Sequence, residues 1–142
     1  MNIPLFIAGL ILILVVLGDA FETMVLPRRV TRRVRLARLF FRYSWKFWLM
    51  IARLIPGRRS TDTFLGFFGP FTMLMLIILW ATGLVFGFAI MLFASGSTLT
   101  MQAGVAGFGT YLYLSGTSLF TLGLGDVTTT TPLGRALIAA ES

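Results

Sequence analysis

Six residues near the C-terminal end, TLGLGD (Thr121 to Asp126), have the types and order that bear most directly on chemistry. Two glycines alternate with two leucines between a threonine and an aspartate. From Leu122 to Gly125 no side chain can coordinate, donate or attack, so what the run offers is its main chain, a row of carbonyl oxygens. Successive residues of an ordinary strand point their carbonyls to opposite sides. Alternating right- and left-handed conformations bring them onto one line, and left-handed positions are cheap only for glycine. Gly123 and Gly125 have the required spacing. Oxygens held in line suit a cation stripped of its water. Leu122 and Leu124 then turn their side chains away from that line to pack into surrounding protein. Thr121 adds a hydroxyl at the inner end. Asp126 stands at the outer mouth, where its charge concentrates cations, although a turn or cap also suits an aspartate there.

Little else in the chain competes for a chemical role. Histidine and cysteine are absent, and the five carboxylates (Asp19, Glu22, Asp62, Asp126 and Glu141) are scattered. The commonest general base, the commonest metal ligand and any thiol nucleophile are therefore excluded. We expect neither an enzyme nor a resident cofactor. A phosphate-cradling loop does not fit either, because no GK[ST] follows the glycines and no strand pattern precedes them.

The elements that would hold such a run are those of a membrane protein. Of 142 residues, 57% are hydrophobic and 12% charged, and mean hydropathy is +0.91, against about a quarter charged in soluble domains. The net charge of +7 is concentrated, with eleven of twelve basic residues lying between Arg28 and Arg59 and no acid among them. Between apolar segments such a cluster marks the cytoplasmic loop rather than a nucleic-acid surface. Residues 1–27 form a first transmembrane helix around IPLFIAGLILILVVLG, Ile3 to Gly18. A secretory signal would carry its positive charge before the apolar core, whereas here the charges follow at Arg28 and Arg29. This places the N-terminus outside.

Residues 28–63 are basic and interrupted. From Val34 to Ile55 apolar residues recur at helical spacing between Arg35, Arg38, Arg42, Lys46 and Arg53, with six aromatics from Phe40 to Trp48. That pattern is too charged to span, and it lacks the regular arginine ladder of a voltage sensor. It suits an amphipathic helix in the headgroup layer, with Arg35, Arg38, Arg42 and Lys46 facing anionic lipid. A plain solvated loop is the other reading. Residues 64–142 follow as one domain. PFTMLMLIILWATGLVFGFAIMLFA, 70–94, is a second span with Pro70 in its first turn and a small-xxx-small pair at Gly83 and Gly87. Ser95 to Gly109 is a Gly/Ser/Thr-rich linker on the outside. Residues 110–120 are too few to cross a bilayer but right for a re-entrant half-helix. Its C-terminal end near Phe120 directs partial negative charge inward. Thr128 to Thr131 form an outer loop, and Pro132 starts another helix, 132–142.

TLGLGD resembles the potassium-channel signature T-[VIL]-G-[YFL]-G-D. Thr121, Gly123, Gly125 and Asp126 match its fixed positions; Leu122 and Leu124 fill its variable ones. Tyr113, Ser115 and Ser118 stand where that family's pore helix carries aromatic and small hydroxyl residues, and PLGR, Pro132 to Arg135, resembles the start of its inner helix. The resemblance covers Thr110 to Arg135. It implies an all-α membrane fold: transmembrane helices plus a re-entrant pore helix and selectivity filter. It also implies potassium as permeant ion and a homotetramer with one filter loop from each chain. Leu124 departs from the family, which most often has an aromatic there, and Thr117 stands where some members place a glutamate. A less selective cation pore, or a non-conducting membrane scaffold with a lipid-binding basic segment, are the alternatives. The inner helix has barely begun at Ser142, so the chain reads as the front part of a subunit. Glu141, about seven residues into that helix, pairs with Arg135, approaches the pore helix, or is simply exposed where the chain stops.

Overall fold

The computed structural model describes residues 1–24, 36–52, 64–101 and 107–142. Five helices and one two-stranded ribbon are found among them: α1 (Ile3–Met24), α2 (Leu36–Ala52), α3 (Phe68–Ala94), β1 (Leu99–Met101), α4 (Phe108–Leu119), β2 (Val127–Thr129) and α5 (Pro132–Glu141). Two helical stretches are long and apolar enough to cross a membrane, Ile3–Met24 and the 31 residues of Phe64–Ala94. The second extends back from the expected start at Pro70 to Phe64, through a turn at Phe67. The chain divides into two compact units, one of residues 1–17 with 81–142, the other of residues 18–80.

In the first unit α1 and α3 meet through glycine. A Cβ on Gly87 would lie 2.5 Å from Cγ1 of Ile13, one on Gly83 would lie 2.8 Å from Cγ2 of Val16, and one on Gly9 would lie 2.8 Å from the main-chain oxygen of Gly87. The small-xxx-small pair thus serves a close helix crossing, to which α1 contributes a third glycine that the sequence pattern did not single out. Without a hydrophobic drive between helices in lipid, such approach supplies the packing that holds them. Gly87→Ala should therefore destabilise the protein by about 1–3 kcal/mol, read as a lowered unfolding temperature in detergent. The small core of this unit is Ala89, Leu92, Tyr111 and Leu114, which sets α4 against the end of α3.

The ribbon departs from the all-helical expectation. Residues read as linker and outer loop pair antiparallel, Leu99 with Thr129, Thr100 with Thr128 and Met101 with Val127. Threonine explains it: β-branched side chains favour the pleat, and Thr98 meets Thr130 at 2.6 Å while Thr100 meets Thr128 at 3.1 Å, hydroxyl to hydroxyl.

In the second unit α2 is pinned by aromatic residues. Trp48 stacks on Phe64 at 4.3 Å between ring centroids and donates its indole N–H to the Phe64 carbonyl at 3.2 Å. Trp45 meets Phe68 edge-on at 4.7 Å. The acid within α1 is also accommodated: Asp19 is buried and accepts the Trp80 indole N–H at 3.0 Å.

Candidate functional site

The site is built on α4. This helix of 12 residues would span about 18 Å, less than a bilayer core, as expected of a half-helix. It ends in a defined way. The Leu122 N–H bonds the Thr117 carbonyl and the Thr121 N–H bonds the Ser118 carbonyl, both at 2.9 Å. This is a Schellman cap, whose penultimate position must be left-handed. Thr121 occupies it with φ 53°, an unusual place for a β-branched residue. Gly123 follows at φ 56° and Gly125 at φ 71°. Left-handed backbone at the two glycines is what their spacing predicts. The third such residue in the run, Thr121, has a residue type that argues against the conformation; the signal for it is the helix end.

Every residue from Thr121 to Asp126 is exposed. Leu122 and Leu124 are each 60% exposed, so the packing expected around them is not supplied by the described part of a single chain. Leu124 instead lines one side of a cavity of about 740 Å³, together with Leu114, Ser118, Arg135 and Ile138. Asp126 is held from behind: the Tyr113 hydroxyl, on α4, donates to its Oδ2 at 2.8 Å. Bonding to the carboxylate keeps the Tyr113 proton on and pushes the phenol's pKa up from 10. Thr117 and Ser118 turn their hydroxyls back to the Leu114 carbonyl, at 3.0 and 2.8 Å.

Beyond the run from Thr121 to Asp126, α5 starts as its sequence demands. Thr131 caps it, accepting from the Gly134 N–H at 3.2 Å, with Pro132 in the first turn. Behind this cap lies a cluster of hydroxyls. Ser97 meets Ser95 at 2.6 Å and Thr131 at 3.0 Å, and Thr131 meets Thr129 at 3.3 Å. Arg135 donates from Nε to the Thr129 carbonyl at 3.4 Å. Glu141 meets α4, through Ser115.

Among the basic residues, Arg42 and Lys46 lie exposed on α2, one turn apart. Arg35 and the side chain of Arg38 lie outside the described residues. Leu39, Tyr43, Phe47 and Met50, which share a stripe of the same helix, are also exposed. Among the described residues no cluster of acids could hold a metal ion. Compared with known proteins, the chain matches no family model, no curated protein and no solved structure.

Proposed function

We propose that this chain is a subunit of a potassium-selective channel, conducting passively through a filter made of the carbonyls of Thr121, Leu122, Gly123, Leu124 and Gly125. The observation that carries the reading is the alternation of left-handed backbone at Thr121, Gly123 and Gly125, directly after the end of a half-helix. Irregular backbone of this kind is tolerated at membrane depth only where it lines a water-filled path or is buried in protein. Ion passage needs no covalent step: carbonyl oxygens replace water around the cation, which then moves down its electrochemical gradient. Four chains around one axis would enclose that path. They would also give the exposed Leu122 and Leu124 side chains neighbours to pack against. If Ile3–Met24 and Phe64–Ala94 both cross the membrane with the basic segment inside, the charge rule supports an N-terminus and a filter mouth outside.

The test is ion flux into liposomes that carry the protein. Potassium flux far above sodium supports the reading. Equal flux identifies a loose cation pore, the outcome that Leu124 in place of an aromatic would favour. No flux leaves a membrane scaffold. Within this reading, Tyr113→Phe removes the hydrogen bond behind Asp126. A loss of about 1 kcal/mol in holding the filter would lower the potassium-to-sodium ratio roughly five-fold, with the helical content unchanged by circular dichroism.

A further inference from the structure

Three helices meet on one hydroxyl. Ser115, on α4, is fully buried, and its Oγ lies 2.9 Å from the main-chain oxygen of Val85 on α3. The same Oγ is in hydrogen-bond contact with Oε1 of Glu141 on α5. Glu141 is only 8% exposed, and its Oε2 is buried with no hydrogen-bond partner.

Counting protons decides how this arrangement is held. A serine hydroxyl carries one proton and a main-chain carbonyl carries none. Two contacts, Val85 with Ser115 and Ser115 with Glu141, need two. Val85 can only accept, so the serine proton belongs to that bond and the second must come from Glu141. An ionised Glu141 would leave one proton for two contacts and bury a charged oxygen without a donor, which is far more unfavourable than burying a neutral one. Among the described residues no neighbouring charge offers an alternative. α3 carries no titratable side chain from Phe68 to Ala94. On α4 the Tyr111 and Tyr113 hydroxyls donate elsewhere, to the Ser97 carbonyl and to Asp126. On α5 the Arg135 Nε is bonded to Thr129.

We propose that Glu141 is a proton-binding site: as the neutral acid it donates from Oε1 to Ser115, Ser115 donates to Val85, and this relay ties α5, α4 and α3 together. Release of the proton to water leaves two acceptors facing one hydroxyl, so α4 loses one of its two neighbours. Because α4 ends at the Thr121 cap, proton occupancy at Glu141 sets how firmly the following run is held. That last consequence rests on the channel reading; the proton site does not.

Infrared difference spectra of the protein in bilayers, titrated from acid to alkaline, test the site directly. A carboxylic-acid carbonyl band that disappears on titration and is absent in Glu141→Gln supports it. In Ser115→Ala the band should persist at higher frequency, since the acid has lost its acceptor. Glutamine supplies permanent N–H donors, so Glu141→Gln should keep the relay closed at every pH. Potassium flux should therefore vary with pH in the native subunit and be flat in the variant. No protonated band at any pH, or a native pH response in Glu141→Gln, overturns the proposal. A titrating band in a protein that passes no potassium upholds the proton site and removes the channel reading.

Discussion

On the channel reading, Gly123→Ala should abolish selective potassium flux without unfolding the helices. The reason is conformational. A Cβ at Gly123 would meet nothing within 4 Å in the chain, yet the residue sits at φ 56°. For an L-residue that conformation costs roughly 1–2 kcal/mol. In the proposed assembly of four chains the strain would sum to roughly 4–8 kcal/mol, enough to move the backbone into a different conformation and turn a ring of carbonyls out of line. Flux of potassium and sodium into liposomes reads the effect directly, and Gly69→Ala is the control. Gly69 also has open space around its Cβ position but no positive φ, so flux should be retained there. Selective flux that survives Gly123→Ala would falsify the assignment of Thr121 to Gly125 as an ion path, whatever else the protein does.

The second large effect is expected at Gly134, and there the cause is steric. A Cβ would lie 2.3 Å from Thr129 Oγ1, 2.7 Å from Thr131 Oγ1 and 2.8 Å from Ser97 Oγ. These are not free ends that can swing away, because Ser97, Thr129 and Thr131 are bonded to one another and to the start of α5. Gly134→Ala should destabilise the protein by roughly 2–3 kcal/mol, seen as a fall in unfolding temperature in detergent. Gly116→Ala is the contrast. Its Cβ would meet only Val85 Cγ1, at 4.0 Å, and alanine in a helix interior is favoured by roughly 0.5–1 kcal/mol. That variant should be neutral or slightly more stable. If both glycines behaved alike, the hydroxyl cluster would not be holding α5 in place.

Much of this arrangement is legible in the residues, for physical reasons that can be named. The helices announce themselves because length and unbroken apolar character leave a membrane segment few other forms. The start of α5 is readable from Pro132 and the threonine before it. The left-handed glycines follow from their spacing. What could not be read depends on partners distant in sequence. The ribbon pairs Leu99–Met101 with Val127–Thr129, and the only local sign of it was a richness in threonine that also suits a loop. Gly9 carries no pattern of its own until α3 lies against it. Thr121 is left-handed because a helix ends there, whereas its residue type argues against that conformation. The contact of Glu141 with Ser115 joins residues 26 apart; the sequence shows only that an acid in such a helix needs a reason.

The run from Thr121 to Asp126 is fixed at both ends, by the helix cap at Thr121 and by the register that opposes Val127 to Met101. Side chains in a strand alternate faces, so a residue added or deleted between those fixtures inverts the side chains of β2 wherever it slips the strand by one place. Thr129, now buried, would trade places with Thr128, now exposed, and the hydroxyls behind α5 would lose a member. The number of residues in this stretch is thus set by parity as well as by span. Natural variation in chain length should accumulate elsewhere, while this hexapeptide changes in letters and never in count.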